Sequence, residues 1–175
     1  MKVLVLTGPE SSGKSWLGGE IQRHFGGIIV SEYVREFIDR EGRDTCYADI
    51  DVIAKAQLDR EDAARATAAR LVILDTHLLS NMLWSQTLFA DCPDWIEPQL
   101  LQRHYDLHLL LAPEGIAWVD DGQRCQPLLD ERQAFFTASR DWLECHHQPF
   151  QIITGSWESR REQAFTAMEH LLAQA

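Results

Sequence analysis

The sequence of 175 residues lacks the features of membrane-spanning and secreted proteins. No apolar run approaches the roughly 20 residues that a helix needs to cross a bilayer. The N-terminus passes directly into the apolar run KVLVLTG, without the basic segment, long apolar region and small-residue cleavage site of a signal peptide. We therefore predict a cytoplasmic protein with no membrane partner.

Positive charge is also scarce. The chain has 16 Lys and Arg against 27 Asp and Glu, a formal net charge of −11. A protein that binds nucleic acid needs a basic face to neutralise the phosphate backbone, so we predict no nucleic-acid partner. An anionic ligand must then be held by a local group of positive charges, against the overall field.

The sequence shows no pair of cysteines spaced for metal binding or redox chemistry. The four cysteines show no CxxC spacing, and none lies near a histidine pair in the arrangement of a zinc finger. This favours reduced thiols in a reducing compartment.

Five short apolar runs predict strands, at residues 2–7, 27–31, 71–76, 106–111 and 150–154. Their apolar residues are consecutive rather than alternating, which suits strands covered on both faces, as in a parallel sheet. Segments of helical length lie between and after them, at residues 14–25, 32–40, 47–70, 78–89, 94–104, 130–146 and 157–173. The alternation predicts a wound α/β fold with right-handed crossovers.

One stretch, residues 112–129, has no clear periodicity and is rich in Pro, Gly and Asp. A loop this long in a compact domain is usually functional or mobile. We call residues 112–129 the lid segment and expect it to belong to a single domain that spans residues 1–175.

The first strand runs directly into a glycine-bounded loop, GPESSGKS, at residues 8–15. The loop fits the phosphate-binding pattern G-x-x-x-x-G-K-[ST] without a gap. From the residue usage of this chain, the pattern arises by chance about once in a thousand such sequences. Because it follows a strand and opens a helix, it predicts the three-layer P-loop NTPase fold, with a parallel sheet of order 2-3-1-4-5.

Residues 8–15, here called the P-loop, are suited to binding phosphate. Glycines let the backbone turn tightly, successive N–H groups surround a phosphate, and the following helix adds its positive dipole end. We expect Lys14 to reach the β- and γ-phosphates of ATP and the Ser15 hydroxyl to bind Mg²⁺. The alternative is a plain glycine turn between a strand and a helix.

Two acids follow predicted strands. Asp75 lies near the end of LVILDT, at the sheet edge where open α/β proteins bind ligands, and is a candidate Mg²⁺ ligand. Its alternative role is to cap the next helix. Glu32 follows the second predicted strand. A kinase needs a carboxylate that orients or deprotonates the acceptor hydroxyl, and Glu32 and Asp75 are the two candidates for it. Arg35 lies on the same helical face as Glu32. The alternative for Glu32 is a helix N-terminal acid favoured by the dipole.

The chain resembles the ribosylnicotinamide kinase domain of NadR-type proteins over nearly its whole length. The matching segments are GPESSGKS (8–15), EYVREF (32–37), IAKAQ (53–57), LDTHLL (74–79), Trp84, CPDWI (92–96), YDLHLLL (105–111), WVDDGQR (118–124), and a proline followed by ITG at 149–155. The resemblance implies ATP-dependent phosphorylation of the 5′-hydroxyl of nicotinamide riboside, which yields nicotinamide mononucleotide.

The resemblance also implies roles for individual residues. Those that would bind ATP or Mg²⁺ are Gly8, Pro9, Glu10, Ser11, Ser12, Gly13, Lys14, Ser15 and the adjacent Trp16, with Asp75 as a second metal ligand. Thr154 and Gly155 would line the adenine pocket. Glu32 and Arg35 would face the riboside, and Tyr33 and Trp84 are aromatic candidates for stacking on its cationic ring.

The WVDDGQR segment adds candidates from the lid segment. Asp120 and Asp121 would contact the ribose or its cationic ring, and Arg124 would meet the transferring phosphoryl group. Arg132, on the helix beyond, is a weaker candidate for the same role. The alternative is a solvated acidic turn with a surface arginine, because Asp-Asp-Gly favours turns by itself.

The sequence departs from the family pattern at two positions. His77 follows the Asp-Thr pair where an acid is common, and Ala117 replaces a common proline. Two other functions stay open: a kinase of another nucleoside or nucleotide, and a regulatory ATPase that acts through a protein partner. Full-length NadR proteins carry an adenylyltransferase domain and, in some, a DNA-binding helix-turn-helix, and we expect neither within residues 1–175.

Overall fold

Strands and helices alternate along the chain in the computed structural model, which describes residues 1–173. The elements are β1 (Lys2–Thr7), α1 (Lys14–Phe25), β2 (Ile28–Val30), α2 (Tyr33–Glu41), α3 (Tyr47–Arg65), β3 (Leu71–Asp75), α4 (Leu78–Phe89), α5 (Ile96–Leu101), β4 (Leu107–Leu111), α6 (Leu129–Cys145), β5 (Phe150–Ile153) and α7 (Trp157–Ala173). Residues 174 and 175 of the predicted domain lie outside the described residues.

The five strands form one parallel sheet of order β2-β3-β1-β4-β5, which confirms the predicted fold and strand order. In the register, Leu6 of β1 lies beside Asp75 of β3 and Leu109 of β4. Because all five strands are parallel, their carboxyl ends meet at one edge, where the P-loop begins.

The consecutive apolar residues of the strands serve two cores. Val3 and Val5 of β1 face a cluster formed with α3, α4, α5 and α6. Leu4 and Leu6 face the other side, where Leu17 of α1 and the inner residues of α7 cover the sheet. Side chains of a strand alternate between faces, so a strand covered on both must be apolar throughout.

Several helix ends differ from the prediction. Helix α3 ends at Arg65 rather than at residue 70, because the Thr67 side chain donates a hydrogen bond of 2.7 Å to the Ala64 carbonyl and closes the last turn. Helix α5 is shorter than the predicted 94–104, spanning Ile96–Leu101. Glu32, predicted inside α2, instead precedes it as the N-cap residue.

Two buried histidines lie together in the core near the sheet edge. The rings of His77 and His108 have centroids 5.2 Å apart, and Tyr105 packs against both. Burial holds the pKa of His77 well below its ordinary value and lowers the pKa of His108 to about 4. Both imidazoles are therefore neutral at physiological pH.

Two further features concern the surface. No helix within residues 1–173 is both long and apolar enough to cross a membrane. Between Leu111 and Leu129 there is neither helix nor strand, so the lid segment lacks regular secondary structure up to its last residue.

Candidate functional site

The backbone of the P-loop requires both of its glycines. Gly8 has φ of +126°, and a Cβ atom there would lie 2.5 Å from the carbonyl oxygen of Leu111. Gly13 has φ of +90°, and its Cβ would lie 2.5 Å from the ring of Trp157. Both positions combine a positive φ with a close neighbour, so a side chain would distort the loop.

Helix α1 begins directly after this loop with open donor groups. Gly13 is its N-cap residue, no side chain caps it, and its first turn contains no acidic residue. The free N–H groups and the positive dipole end are therefore available to an anion. The Nζ atom of Lys14 donates hydrogen bonds to the carbonyl oxygens of Gly8 (3.0 Å) and Pro9 (2.7 Å), which holds the ammonium group against the loop.

Lys14, Glu32 and Asp75 form one electrostatic cluster at the carboxyl ends of β1, β2 and β3. Burial lowers the pKa of Lys14, and the nearby carboxylates of Glu32 and Asp75 oppose that change. Burial raises the pKa of Glu32, while Lys14 lowers it. The sheet thus brings the predicted ammonium and both predicted carboxylates to one place.

Asp75 and Glu32 make few hydrogen bonds within the protein that would compete with a metal ion or substrate. Among residues 1–173, no protein group donates a hydrogen bond to the Asp75 side chain, and helix α4 has no side-chain cap. The capping role that was the alternative for Asp75 is therefore not seen. Glu32 occupies the N-cap position of α2 without capping it, because its carboxylate accepts a bond of 3.2 Å from Nε of Arg35.

Arg35 connects Glu32 to the lid segment. Its Nη1 atom donates a hydrogen bond of 2.7 Å to Asp121. Asp121 also lies 3.2 Å from Nε of Arg124, and it accepts the backbone N–H groups of Gln123 and Arg124. Asp121 therefore orients two arginines at the site.

The P-loop itself holds the lid segment from the other side. The Glu10 carboxylate accepts hydrogen bonds from Nε1 of Trp118 and from the backbone N–H groups of Cys125 and Gln126, at 2.8, 3.1 and 2.8 Å. The Ser11 hydroxyl donates to the Ala117 carbonyl and accepts from the Val119 N–H. Two of the four variable positions of the motif thus contact the lid segment.

A cavity of about 340 Å³ lies between these elements. Its P-loop side is formed by Gly8, Glu10, Ser11, Ser12, Gly13, Lys14, Ser15 and Trp16. Its far side contains Glu32, Arg35, Asn81 and Trp84, with an apolar wall from α2, α3 and α4. Arg124 lines it from the lid segment. One space therefore joins the phosphate-binding loop to a second, more apolar subsite.

Several predicted residues lie outside the cavity wall. They are Pro9, Tyr33, Asp75, Asp120, Asp121, Thr154 and Gly155. Tyr33 is buried against Phe37 and Ile53, with the guanidinium of Arg60 over its ring, so it packs α2 onto α3. The Asp120 side chain accepts a hydrogen bond from the Gly122 N–H within a turn. This is the turn that was the alternative to a substrate contact for Asp120.

Thr154 and Gly155 also contribute backbone groups rather than side chains. The Thr154 carbonyl accepts a bond from the Gln163 side chain, and the Gly155 carbonyl accepts one from Arg160. Arg132 is buried in α6, and two of its guanidinium nitrogens, Nε and Nη1, have no hydrogen-bond partner among residues 1–173. The roles predicted for Thr154, Gly155 and Arg132 stay predictions. Gln163 and Arg160 were not predicted from the sequence.

Among the cavity-wall residues that sequence reasoning missed, Trp157 and Asn81 have side chains suited to contacting a ligand. Trp157 lies against Gly13 and packs edge-to-face on Trp16, with ring centroids 4.7 Å apart. Asn81 presents a buried side-chain oxygen without a hydrogen-bond donor among the described residues. Asn81 lies one turn before the predicted Trp84 on α4, which was the available signal.

The donor set fits Mg²⁺. Within residues 1–173 there is no cluster of three or more His, Cys, Asp or Glu side chains suited to a metal ion. Mg²⁺ in phosphoryl-transfer sites needs only one or two protein ligands, because it keeps waters and takes phosphate oxygens. The exposed Ser15 hydroxyl and the Asp75 carboxylate, which has no protein donor, match that requirement.

The chain is similar to two curated proteins described as trifunctional NAD biosynthesis/regulator protein NadR. The protein of Salmonella typhimurium (strain LT2) is 26% identical over 139 residues, 77% of this chain and 34% of the relative. That of Escherichia coli (strain K12) is 24% identical over 165 residues, 91% of this chain and 40% of the relative. The chain thus spans well under half the length of these relatives.

Solved structures share the fold. NadR protein in complex with NR has a TM-score of 0.76 at 20% identity, covering 97% of this chain and 51% of that chain. The NadR complex with NAD and AMP-PNP has a TM-score of 0.74 at 20% identity, with 97% and 49% coverage. Deoxyadenosine kinase from M. mycoides has a TM-score of 0.67 at 14% identity, with 96% and 99% coverage. This chain therefore has the same fold as these proteins.

A family model described as an AAA domain matches residues 3–160. The match begins in β1, includes the P-loop and the lid segment, and ends in α7. Since it covers most of the chain, this protein belongs to the AAA domain family.

Proposed function

We propose that this protein is an ATP-dependent small-molecule kinase, and that its acceptor is the 5′-hydroxyl of nicotinamide riboside, which it converts to nicotinamide mononucleotide. The observation that carries the proposal is the cavity of about 340 Å³, with the P-loop on one side and Glu32, Asn81 and Trp84 on the other. A kinase needs these two subsites in one enclosed space, because the acceptor must lie in line with the γ-phosphate.

The comparisons support the choice of acceptor. The curated relatives are named for NAD biosynthesis, and one structural neighbour was solved with NR and another with NAD and AMP-PNP. The segments that carry the resemblance include the P-loop, EYVREF at residues 32–37 and WVDDGQR of the lid segment, and each of them contributes residues to the cavity wall.

The proposed reaction is a single phosphoryl transfer. The acceptor oxygen forms a bond to the γ-phosphorus as the bond to the bridging β–γ oxygen breaks, and ADP leaves. Glu32 or Asp75 accepts the hydroxyl proton, and Lys14 offsets charge on the phosphate oxygens. Arg124 and the buried Arg132 are the arginines proposed to stabilise the transferring group.

The acceptor subsite suits a cationic aromatic riboside. Trp84 borders the cavity and packs on Phe135, which fixes the indole plane, and a pyridinium ring gains about 0.5–2 kcal/mol from stacking on such a face. The unpartnered oxygen of Asn81 is free to accept a hydrogen bond from a carboxamide or hydroxyl group. Mg²⁺, held by Ser15 and Asp75, would supply charge neutralisation at the phosphates.

A substrate panel tests the proposal. The protein is incubated with ATP and Mg²⁺ and, in separate reactions, with nicotinamide riboside, uridine, cytidine, thymidine and deoxyadenosine, and the products are identified by mass spectrometry. We expect turnover of nicotinamide riboside well above that of the others. ADP without any phosphorylated riboside would contradict the kinase and favour a regulatory ATPase.

A second candidate is a kinase of another nucleoside. The similarity to deoxyadenosine kinase over 96% of this chain and 99% of that chain favours it, since the two chains have the same extent. Preferred turnover of deoxyadenosine or cytidine in the same panel would select this candidate.

A further inference from the structure

Arg160, in the first turn of α7, is fully buried and binds only backbone carbonyls. Its Nε donates a hydrogen bond of 2.8 Å to Gly155, its Nη1 one of 3.3 Å to Ser12, and its Nη2 one of 2.6 Å to Glu114. These carbonyls belong to the loops after β5, β1 and β4. Because those three strands are neighbours in the sheet, one guanidinium holds three adjacent loops at the ligand-binding edge.

The charge of Arg160 has no direct ion-pair partner in the described protein, although the Glu114 carboxylate acts on it at longer range and partly opposes the effect of burial on its pKa. Within residues 1–173, no carboxylate lies within ion-pair distance of its guanidinium, and the Glu114 carboxylate instead accepts a bond from the Gln133 side chain. Burial lowers the pKa of Arg160, although an arginine stays protonated. A buried cation bound only to neutral groups is costly unless an anion lies nearby.

The bond to Ser12 sets the direction of a P-loop amide. The structure contains no cis peptide among residues 1–173, so the carbonyl of Ser12 and the N–H of Gly13 point in opposite directions across one planar peptide. Since the carbonyl is turned toward Arg160, the Gly13 N–H is directed away from it. The Ser12 hydroxyl, bonded to the Pro9 carbonyl at 2.8 Å, fixes the same residue from the side chain.

We propose that Arg160 is a positioning residue of the nucleotide site, which orients the Ser12–Gly13 peptide and supplies a buried positive charge that the polyphosphate of a bound nucleotide compensates. This proposal rests on the proposed function only in that the P-loop binds a nucleoside triphosphate. It does not depend on which acceptor is phosphorylated.

The test separates the effect of the positive charge of Arg160 from the effect of its hydrogen bonds. Arg160→Lys keeps the charge and loses part of the hydrogen bonding, whereas Arg160→Gln removes the charge and keeps an N–H donor. Arg161→Gln is the matched control, because Arg161 has the same charge on the same helix but is partly exposed and lies 3.9 Å from Glu20. ATP and inorganic tripolyphosphate are titrated calorimetrically without riboside, and thermal unfolding is measured with and without ATP.

We expect Arg160→Gln to lose at least about tenfold in affinity for both ATP and tripolyphosphate, while Arg160→Lys loses about fivefold or less. Arg161→Gln stays within about twofold of the unsubstituted protein. Without nucleotide, Arg160→Gln should unfold at a temperature no lower than Arg160→Lys, since it removes an uncompensated buried charge.

Affinities of Arg160→Gln within twofold of the unsubstituted protein would overturn the proposal, as would equal losses in the Lys and Gln variants. If the Gln variant does not fold, Arg160→Lys decides through its kinetics: a raised KM for ATP at constant riboside KM supports the proposal, and an equal rise in both contradicts it. An unsubstituted protein that binds ATP and phosphorylates no riboside refutes the proposed function alone.

Discussion

The Glu10 carboxylate lies 2.8 Å from the indole nitrogen of Trp118, although 108 residues separate the two in the sequence. This contact joins the P-loop to the lid segment directly. On the opposite side, Asp121 and Gln123 of the lid segment contact Arg35 of α2. The lid segment is therefore bound to both sides of the cavity that it covers.

Glu10→Ala should release the P-loop side of the lid segment. It removes the acceptor for three hydrogen bonds, and an active site open to water favours hydrolysis over transfer. We expect the rate of riboside phosphorylation to fall about tenfold. The ratio of ATP hydrolysis, measured without riboside, to riboside phosphorylation should rise. Steady-state assays of ADP and phosphorylated product measure both. Glu10→Gln, which keeps one acceptor oxygen, should lie between; unchanged ratios in both variants would show that the contact has no role.

Lys14→Ala should nearly abolish phosphoryl transfer. The ammonium group is held at the P-loop by two carbonyls, and its loss removes charge compensation at the γ-phosphate. We expect kcat/KM to fall by about 10²–10³ with unchanged far-ultraviolet circular dichroism. Lys55→Ala is the control, because Lys55 is exposed and paired with Asp51 on α3. Near-normal activity of the Lys14 variant would remove the phosphate assignment.

Asp75→Asn should raise the Mg²⁺ concentration needed for half-maximal activity and lower kcat by about 10² or more. The side chain has no protein donor among residues 1–173, so its charge is available to a metal ion. Mg²⁺ titrations of the initial rate measure the effect. A variant that loses only thermal stability would instead indicate a structural acid.

Trp84→Ala should raise the KM for nicotinamide riboside about tenfold at constant KM for ATP, because it removes the stacking face of the acceptor subsite. Trp84→Phe should raise it less. The indole also packs on Phe135, with centroids 5.0 Å apart, so unfolding is measured in parallel. A loss of stability without a change in either KM would place Trp84 in the core alone.

The buried histidines predict that stability falls as pH falls below neutrality. Burial lowers the pKa of His108 to about 4 from an ordinary 6.5, so between these values the unfolded state binds more protons than the folded state. Stability is full above pH 6.5 and is lost as pH falls toward 4. For His108 the loss between pH 7 and pH 5 is about 2 kcal/mol.

Urea unfolding at pH 7, 6 and 5 measures this loss. His108→Gln keeps an N–H donor for the Pro149 carbonyl, which the histidine ring contacts at 3.0 Å, but cannot ionise. Its stability should therefore depend less steeply on pH, and His77 contributes to the slope that remains. Identical slopes in the two proteins would contradict the assignment.

The sheet and the P-loop were predictable because their residues encode local rules. A strand buried on both faces must be continuously apolar, and Gly8 and Gly13 adopt backbone angles that other residues rarely reach. The same edge rule correctly brought Lys14, Glu32 and Asp75 together, since parallel strands end on one side.

The contacts of the side chains were less predictable, because they depend on distant parts of the chain. Glu10 was expected to face phosphate, but its carboxylate binds residues of the lid segment more than a hundred positions away. Tyr33 was predicted to stack on the acceptor ring, but its ring packs with Phe37 and with Ile53 of α3, a contact that depends on a later helix. Arg160 carried no motif, since its partners are backbone carbonyls.

That last property has an evolutionary consequence. A guanidinium that recognises only main-chain oxygens places no demand of its own on the side chains at positions 12 and 114, so Arg160 can be retained while these two side chains vary. Among homologues of this chain, position 160 should therefore vary less than the loop residues it contacts.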